Sequence, residues 1–281
     1  MALTINTNIA SLNAQRNLTT SQGALDTSLR RLSSGLRVNS AKDDAAGLFS
    51  IQKMTADIRG LNQAVRNAQD GISLGQTGES AMDQMQSAMQ RIREIAVQSS
   101  NGTVEDRTGL QAEVDQLTQE ISRIVDTTEF NGKNLFDGNA GSFGNLTFQI
   151  GQDGNADQQI TVAGVDQTGL NSYDTSLTAT GTVDVSTASA ASAAIASVDA
   201  DIDAVSSDRA TFGAVQNRFE SVIVNLTSYS ENLSAARSRI QDADFAAETA
   251  NLTRAQIMQQ AGVSMLAQAN ALPQTALSLL Q

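Results

Sequence analysis

Side chains that do chemistry are thinly supplied in this chain. Neither cysteine nor histidine occurs among its 281 residues, which removes thiolate nucleophiles, disulfides, imidazole bases and the usual zinc ligand sets. A hydrolase would need paired carboxylates or a Ser–Lys arrangement. Asp43 and Asp44 are adjacent, but they stand just ahead of a helical stretch. There, negative charge complements the helix dipole and a short side-chain oxygen accepts a free amide. Ser40 or Asp43 is the expected cap. Glu79, Glu94, Glu105, Glu113 and Glu120 fall in helical stretches and read as solvated faces. Arg91, Arg93 and Glu94 form a dense charged patch on one helix, suited to contact with another subunit or a receptor. No phosphate loop, dinucleotide fingerprint or HExxH motif occurs. The sequence predicts no enzyme, no metal site and no cofactor.

The totals narrow the partners. A formal net charge of −12 argues against nucleic acid, since phosphate binding needs clustered Lys and Arg. No window approaches eighteen apolar residues, so no membrane insertion is expected. The opening residues, MALTINTNIASLNAQ, lack the basic and apolar regions of a secretory signal. By ordinary rules the protein stays in the cytoplasm unless a dedicated export route carries it out. Aromatics are only 4 % and proline occurs once, a composition that suits long, slender, uninterrupted helices.

The elements that must position these groups are read from periodicity. Over residues 48–99, Ile51, Met54, Ile58, Leu61, Val65, Ala68 and Ile72 recur at steps of three and four, continued by Met82, Met85, Met89, Ile92 and Ala96. That is one stripe along one helix, a rod of roughly 75 Å at ~1.5 Å per residue. Gly60, Gly71, Gly75 and Gly78 interrupt it, which points to close approach of a neighbouring helix or a local bend. A shorter helix carries Leu110, Val114, Leu117, Ile121 and Ile124 and is expected to fold back antiparallel. Phe130-Asn131-Gly132 signals a turn. Leu146, Phe148 and Ile150 then alternate with polar residues, and Asp153-Gly154-Asn155 turns the chain toward Ile160 and Val162, a β-hairpin. Residues 164–190 form a short outer hairpin around Val183 and Val185 or a loosely held loop. Helical period returns from 192 and runs to Ile240.

The two ends mirror one another. Ile5, Ile9, Leu12, Leu18, Leu25, Leu29, Leu32 and Leu36 make a thin seam near the start, over residues 4–35. Met258, Met265, Leu272 and Leu279, spaced by seven, make another over 244–281, where Pro273 should kink the helix or end a turn. Two weak seams at opposite ends can pair as a coiled coil. An interfacial membrane helix is disfavoured, because Arg254 is the sole cation there. The predicted fold is mainly α: an elongated antiparallel bundle of long helices with a small β-hairpin region, plus paired terminal helices.

Several long stretches, in this order, resemble bacterial flagellin. They are INTNIASLNAQRNL, RRLSSGLRVNSAKDDAAGL, NAQDGISLGQTGE, QRIREIAVQSSNG, FNGKNLF, SRIQDADFAAETANLTRAQIMQQAG and QANALPQTALSLL. The resemblance covers roughly 1–140 and 190–281, and Pro273 belongs to its pattern. It implies a subunit that self-polymerises into the extracellular flagellar filament used for motility, exported through the flagellar secretion channel. It divides the chain into terminal helices, 1–35 and 244–281, forming an inner coiled-coil core; a linker or spoke, 36–47, holding Asp43 and Asp44; a helical rod domain, 48–140 and 190–243; and a hairpin and short variable region, 141–189. With so short a middle, the filament should be thin and little decorated. The resemblance also implies an export chaperone on the C-terminal seam, filament cap and junction proteins as partners, and recognition by the Toll-like receptor for flagellin. That recognition maps to Arg91, Ile95, Gln98 and Glu113, with Arg218 on the facing helix, surfaces that also serve filament packing. Cytosolic immune sensors are implied to read Leu277, Leu279 and Leu280. A hook–filament junction protein is the alternative, disfavoured by SRIQDADFAAE and the LSLL end.

Overall fold

The computed structural model describes residues 7–138, 144–175 and 183–278, with side chains of the last helix as far as 271. In chain order it comprises α1 (Ile9–Ser34), α2 (Ala45–Ser100), α3 (Thr108–Thr127), β1 (Glu129–Phe130), β2 (Lys133–Asn134), β3 (Asn145–Gln149), β4 (Gln159–Ala163), α4 (Ala188–Gln241) and α5 (Phe245–Ser278). The chain divides into two compact units: Met1–Ile58 with Glu231–Gln281, and Arg59–Ser230. Helices α2 and α4 each contribute to both.

In the Arg59–Ser230 unit, α2, α3 and α4 share one apolar core with the hairpin. Met82, Met85, Met89, Ile92 and Ile95 of α2 are fully buried beside Val114, Ile121 and Val125 of α3 and Val198, Val205, Phe212 and Phe219 of α4. Two ring-into-glycine contacts set the α2–α4 spacing. A Cβ at Gly71 would fall 2.6 Å from the Phe219 ring, and one at Gly78 would fall 2.9 Å from that of Phe212. Seven residues separate the glycines and seven separate the rings, so the antiparallel helices stay in step over two turns. Gly71 and Gly78 are therefore holes that receive aromatic knobs, while Gly75 and Gly60 are met by Gln216 and Gln152.

The hairpin takes the expected register. Leu146 pairs with Val162 and Phe148 with Ile160 across antiparallel β3 and β4. The Phe148 ring meets Phe219 edge-on, with centroids 5.5 Å apart, and Asn67 Nδ2 of α2 donates to the Gln149 carbonyl at 2.9 Å. A second, two-residue hairpin joins β1 to β2. Asn131 and Gly132 turn it with φ of 54° and 73°, a conformation those two residues adopt at low cost.

The stretch before α4 is firmly anchored where it is described. Val183 and Val185 are buried in the core. Asp201 of α4, itself buried, accepts from the backbone N–H of Asn171 and of Ser172, at 3.0 and 2.8 Å, and from the Ser172 hydroxyl. Among the described residues no strand forms there, so an outer hairpin around Val183 and Val185 is not observed; residues 176–182 lie outside the description. The core takes these valines singly.

In the other unit, α1 packs antiparallel against α5, and Pro273 does not end α5. Proline lacks the N–H that would bond the carbonyl four residues earlier. That carbonyl, on Ala269, instead accepts from Asn8 Nδ2 at 2.8 Å. The other end of the same amide, Asn8 Oδ1, caps α1 by accepting from Ser11 N–H at 3.0 Å. One side chain thus satisfies two orphaned backbone groups on two helices.

Two outcomes follow. Gly78→Ala should lower the denaturant-measured stability of the full chain by about 1–3 kcal/mol, because the buried Phe212 ring must yield, with ~1 kcal/mol offset by helix propensity. Asn8→Ala should remove both the cap and the cover on the Ala269 carbonyl. Amide exchange in the first turn of α1 and around residue 269 should then accelerate, reflecting a loss of about 1–3 kcal/mol.

Candidate functional site

Three groups of residues could interact with partners, and the terminal helix pair is the largest. Its packed rows are Ser11, Ala14, Leu18, Ser21, Leu25, Ser28 and Leu32 on α1 and Glu248, Leu252, Ala255, Gln259, Gly262, Leu266 and Ala269 on α5. All are buried or half-buried, and they recur at steps of three and four. Leu18 sits over Gly262, where an added Cβ would stand 3.3 Å from its Cδ1. Near the other end, Arg31 meets Glu248, nearly buried, at 3.8 Å. Small residues bring the two backbones close.

That seam differs from the expected one. Ile9, Leu12 and Leu29 of α1 are 70, 52 and 47 % exposed, and Met258 and Met265 of α5 are 53 and 59 % exposed. Leu25 and Leu32 lie on the facing row, half-buried. Ile5 and Leu279 fall outside the described residues, as does the side chain of Leu272; the same holds for Leu277 and Leu280. The physical reason is close approach. A row in which Ser, Ala and Gly recur between leucines has the same three-four period as the row beside it. The small row lets the helix axes draw together, leaving the bulky row outside. Phe245, Ile257 and Val263 are also exposed, so α5 carries large apolar side chains outside the seam, interspersed with polar residues such as Arg254, Gln256 and Gln260.

The second group joins α1 to α2 and reads out how residues 35–47 are held. Arg37 N–H donates to the Gln241 carbonyl at 2.6 Å, and its guanidinium caps the C-terminal end of α4 through the Ile240 carbonyl. Gly35, at φ 71°, accepts from Ala243 N–H. Asp43 does not cap α2. Its carboxylate accepts from the backbone N–H and the hydroxyl of Ser40, each at 2.9 Å, and those bonds hold its pKa below the ordinary carboxylate value. Asp44 is the cap, accepting from Gly47 N–H at 2.8 Å. Asp44 wins because it directly precedes Ala45, where the helical dihedrals begin. Asp244 plays the same part for α5, accepting from Ala246 and Ala247 N–H. The sequence reading passed over it, although an Asp followed by an apolar helical run is a recognisable start signal.

The charged patch on α2 is the third group. Arg91 donates to Glu113 of α3 at 2.8 Å and to Glu94 at 3.0 Å, and those carboxylates raise its pKa. Arg93 points elsewhere, to Asp199 of α4 at 2.5 Å. Gln98 is exposed beside them. Ile95 is fully buried, so it offers no surface to a partner and instead positions the helix that carries Arg91. Arg218 is not brought to this patch. It neighbours Phe219, which faces Gly71, placing it roughly 28 Å along α2 from Arg91 at ~1.5 Å per residue. It lines a separate cleft of about 620 Å³ with Leu61, Gln152 and Tyr229.

Among the described residues, no cluster of three acidic, His or Cys side chains could hold a metal. No described helix is long and apolar enough to cross a membrane. What this fold and these surfaces define is a helical structural subunit whose ends expose more apolar surface than one chain covers.

The comparisons with known proteins agree. Residues 5–141 match the bacterial flagellin N-terminal helical region and residues 195–280 the bacterial flagellin C-terminal helical region. Flagellins of Halalkalibacterium halodurans and Bacillus subtilis are each 44 % identical, with 99 % of this chain and 99 % of each relative covered. The crystal structure of Bacillus cereus flagellin matches with a TM-score of 0.50 and 30 % identity, over 61 % of this chain and 94 % of that one. The chain belongs to the bacterial flagellin family, the structural subunits that self-polymerise into the extracellular flagellar filament; they are not enzymes.

The linker carries its own pH test. A carboxyl whose folded pKa is depressed contributes stability above its unfolded pKa and loses it as pH falls through the folded value. Asp43 should therefore titrate below the ordinary aspartate value in a carboxyl-resolved NMR titration of the full chain. Ser40→Ala should move its midpoint upward.

Proposed function

We propose that paired α1 and α5 form the inner layer of the filament and that their outer apolar surface is what neighbouring copies bury. The observation that carries this is the ring of large apolar side chains, Ile9, Leu12, Leu29, Phe245, Ile257, Met258, Val263 and Met265, all exposed in the single chain. Each such side chain contributes ~1.5–3 kcal/mol when fully buried, so several of them left exposed on one helix pair favour covering by another copy. Residues 36–47 act as the spoke, with Asp43 and Asp44 shaping it, between this inner layer and an outer layer built from 48–140 and 190–243. The variable region, 141–189, is small, which fits a thin filament.

The export chaperone holds the C-terminal helix before secretion, covering the same apolar surface that the filament later covers. Cap and junction proteins receive the subunit at the growing tip. Arg91, Gln98 and Glu113 form the surface offered to the Toll-like flagellin receptor, with Ile95 supporting it from beneath. The exposure of Arg91, Gln98 and Glu113 on adjacent helices favours this reading. Leu277, Leu279 and Leu280 are the terminal residues offered to cytosolic sensors.

The deciding experiment adds heat-dissociated subunits to short filament seeds and follows growth by electron microscopy. The intact chain should elongate the seeds, and Leu12→Ser with Met265→Ser should slow elongation at least tenfold while circular dichroism stays unchanged. Elongation by that variant at the intact chain's rate would sink the proposed inner layer. For the receptor surface, Arg91→Ala should lower signalling in receptor-reporter cells at least tenfold. Its effect on stability should stay within about 1 kcal/mol, since both ion-pair partners are solvent-exposed.

A further inference from the structure

The sulfur atoms of this chain are sorted by the fold. Seven methionines and no cysteine make up the whole inventory. Met82, Met85 and Met89 are fully buried in the core of the Arg59–Ser230 unit, and Met54 is half-buried. Met258 and Met265 are the reverse, more than half exposed on the outer surface of α5. Seven residues, two helical turns, separate them, so both thioethers lie on one face, with exposed Ala261 between. With no thiol in the chain to intercept an oxidant first, these are the most accessible thioethers among the described residues, Met1 lying outside them.

We propose that Met258 and Met265 are oxidation sites, and that converting them to sulfoxides in the free subunit blocks its addition to a filament. The step is a two-electron oxygen transfer from a peroxide. The sulfur lone pair attacks one peroxide oxygen, the O–O bond breaks, an S–O bond forms, and the other oxygen leaves as water after proton transfer. The product is polar and chiral where the helix presents a flexible apolar chain. Burying a sulfoxide without a hydrogen-bond partner is unfavourable, so the modified face resists being covered by another copy. The core methionines take no part, because no oxidant reaches them while the unit is folded. A methionine sulfoxide reductase reverses the change, since sulfoxide is the reducible rung of the sulfur ladder. Once the face is covered in a filament, the same side chains are shielded. The switch acts on free subunits. This inference rests on the reading that copies bury the outer face of α5.

The test treats the folded full chain with hydrogen peroxide, maps sulfoxides by peptide mass spectrometry, and measures elongation of seeds. Sulfoxide should form at 258 and 265 at least fivefold faster than at 82, 85 and 89. Elongation should fall tenfold or more, and return after incubation with reductase and dithiothreitol. Met258→Leu/Met265→Leu should keep at least half its elongation rate after the same peroxide dose, with circular dichroism confirming that it folds. Chains oxidised at both positions that elongate at the untreated rate overturn the proposal, as does a double-leucine variant that loses elongation equally. Two further results bear on the assembly reading instead. Untreated chains that fail to elongate, or preformed filaments whose Met258 and Met265 oxidise as fast as in free subunits, would refute burial of this face and the inference with it.

Discussion

Helix α5 carries more large apolar side chains than one neighbouring helix covers. One row, from Leu252 through Gly262 to Ala269, is taken by α1. The opposite side, with Ile257, Met258 and Met265, remains in water. The seam that makes the first contact mixes Ser, Ala and Gly with Leu, Glu248 and Gln259, so it holds the helices close while leaving Ile257, Met258 and Met265 outside. The bulkier side chains of α5 are left in water. A family whose members self-polymerise needs that division: the subunit must keep a defined pair of ends while leaving its strongest apolar surface uncovered.

The two units differ in how they are held. The Arg59–Ser230 unit has a conventional core, with Phe212 and Phe219 set into glycine holes and the hairpin closing over Phe219 through Phe148. Its loops are tied by buried hydrogen bonds, such as those that converge on Asp201. The unit of the chain ends relies on backbone satisfaction instead. Asn8 serves both the start of α1 and the carbonyl orphaned by Pro273, and Arg37 closes the end of α4. Such contacts specify alignment more than they add stability, because each net hydrogen bond contributes only ~0.5–1.5 kcal/mol.

The surface chemistry follows the same split. Arg91 and Glu113 sit over a rigid core, so their positions are set by Ile92 and Ile95 beneath them. The thioethers of Met258 and Met265 sit on a surface that is open in the subunit, whereas the methionines of the core are closed off by the fold itself.

Much of this was legible in the sequence. The stripe from Ile51 to Ala96, the turn at Asn131-Gly132 and the register of Leu146 and Phe148 against Ile160 and Val162 are local periodicities, and local sterics enforce them. The absence of His and Cys excluded most catalytic chemistry before any fold was known. What periodicity did not reveal was which of two rows with the same period would face inward. In α1 and α5 the apolar positions, with Leu12, Leu29, Met258 and Met265 among them, read as the seam; the structure keeps Leu18, Leu25 and Leu32 there, beside Ser, Ala and Gly, and leaves those four outside. Nor did it tell that Asp44 rather than Asp43 caps α2, or that Ile95 lies beneath the patch rather than on it. Each of these depends on how closely two backbones approach and where a helix begins relative to its neighbours. The sequence by itself determined the helices, the hairpin and the absence of catalytic machinery, because those arise from residues within a few positions of one another. The tertiary structure decided which face is inside, because that is a competition between rows on different helices, won by the pair that brings the axes closest.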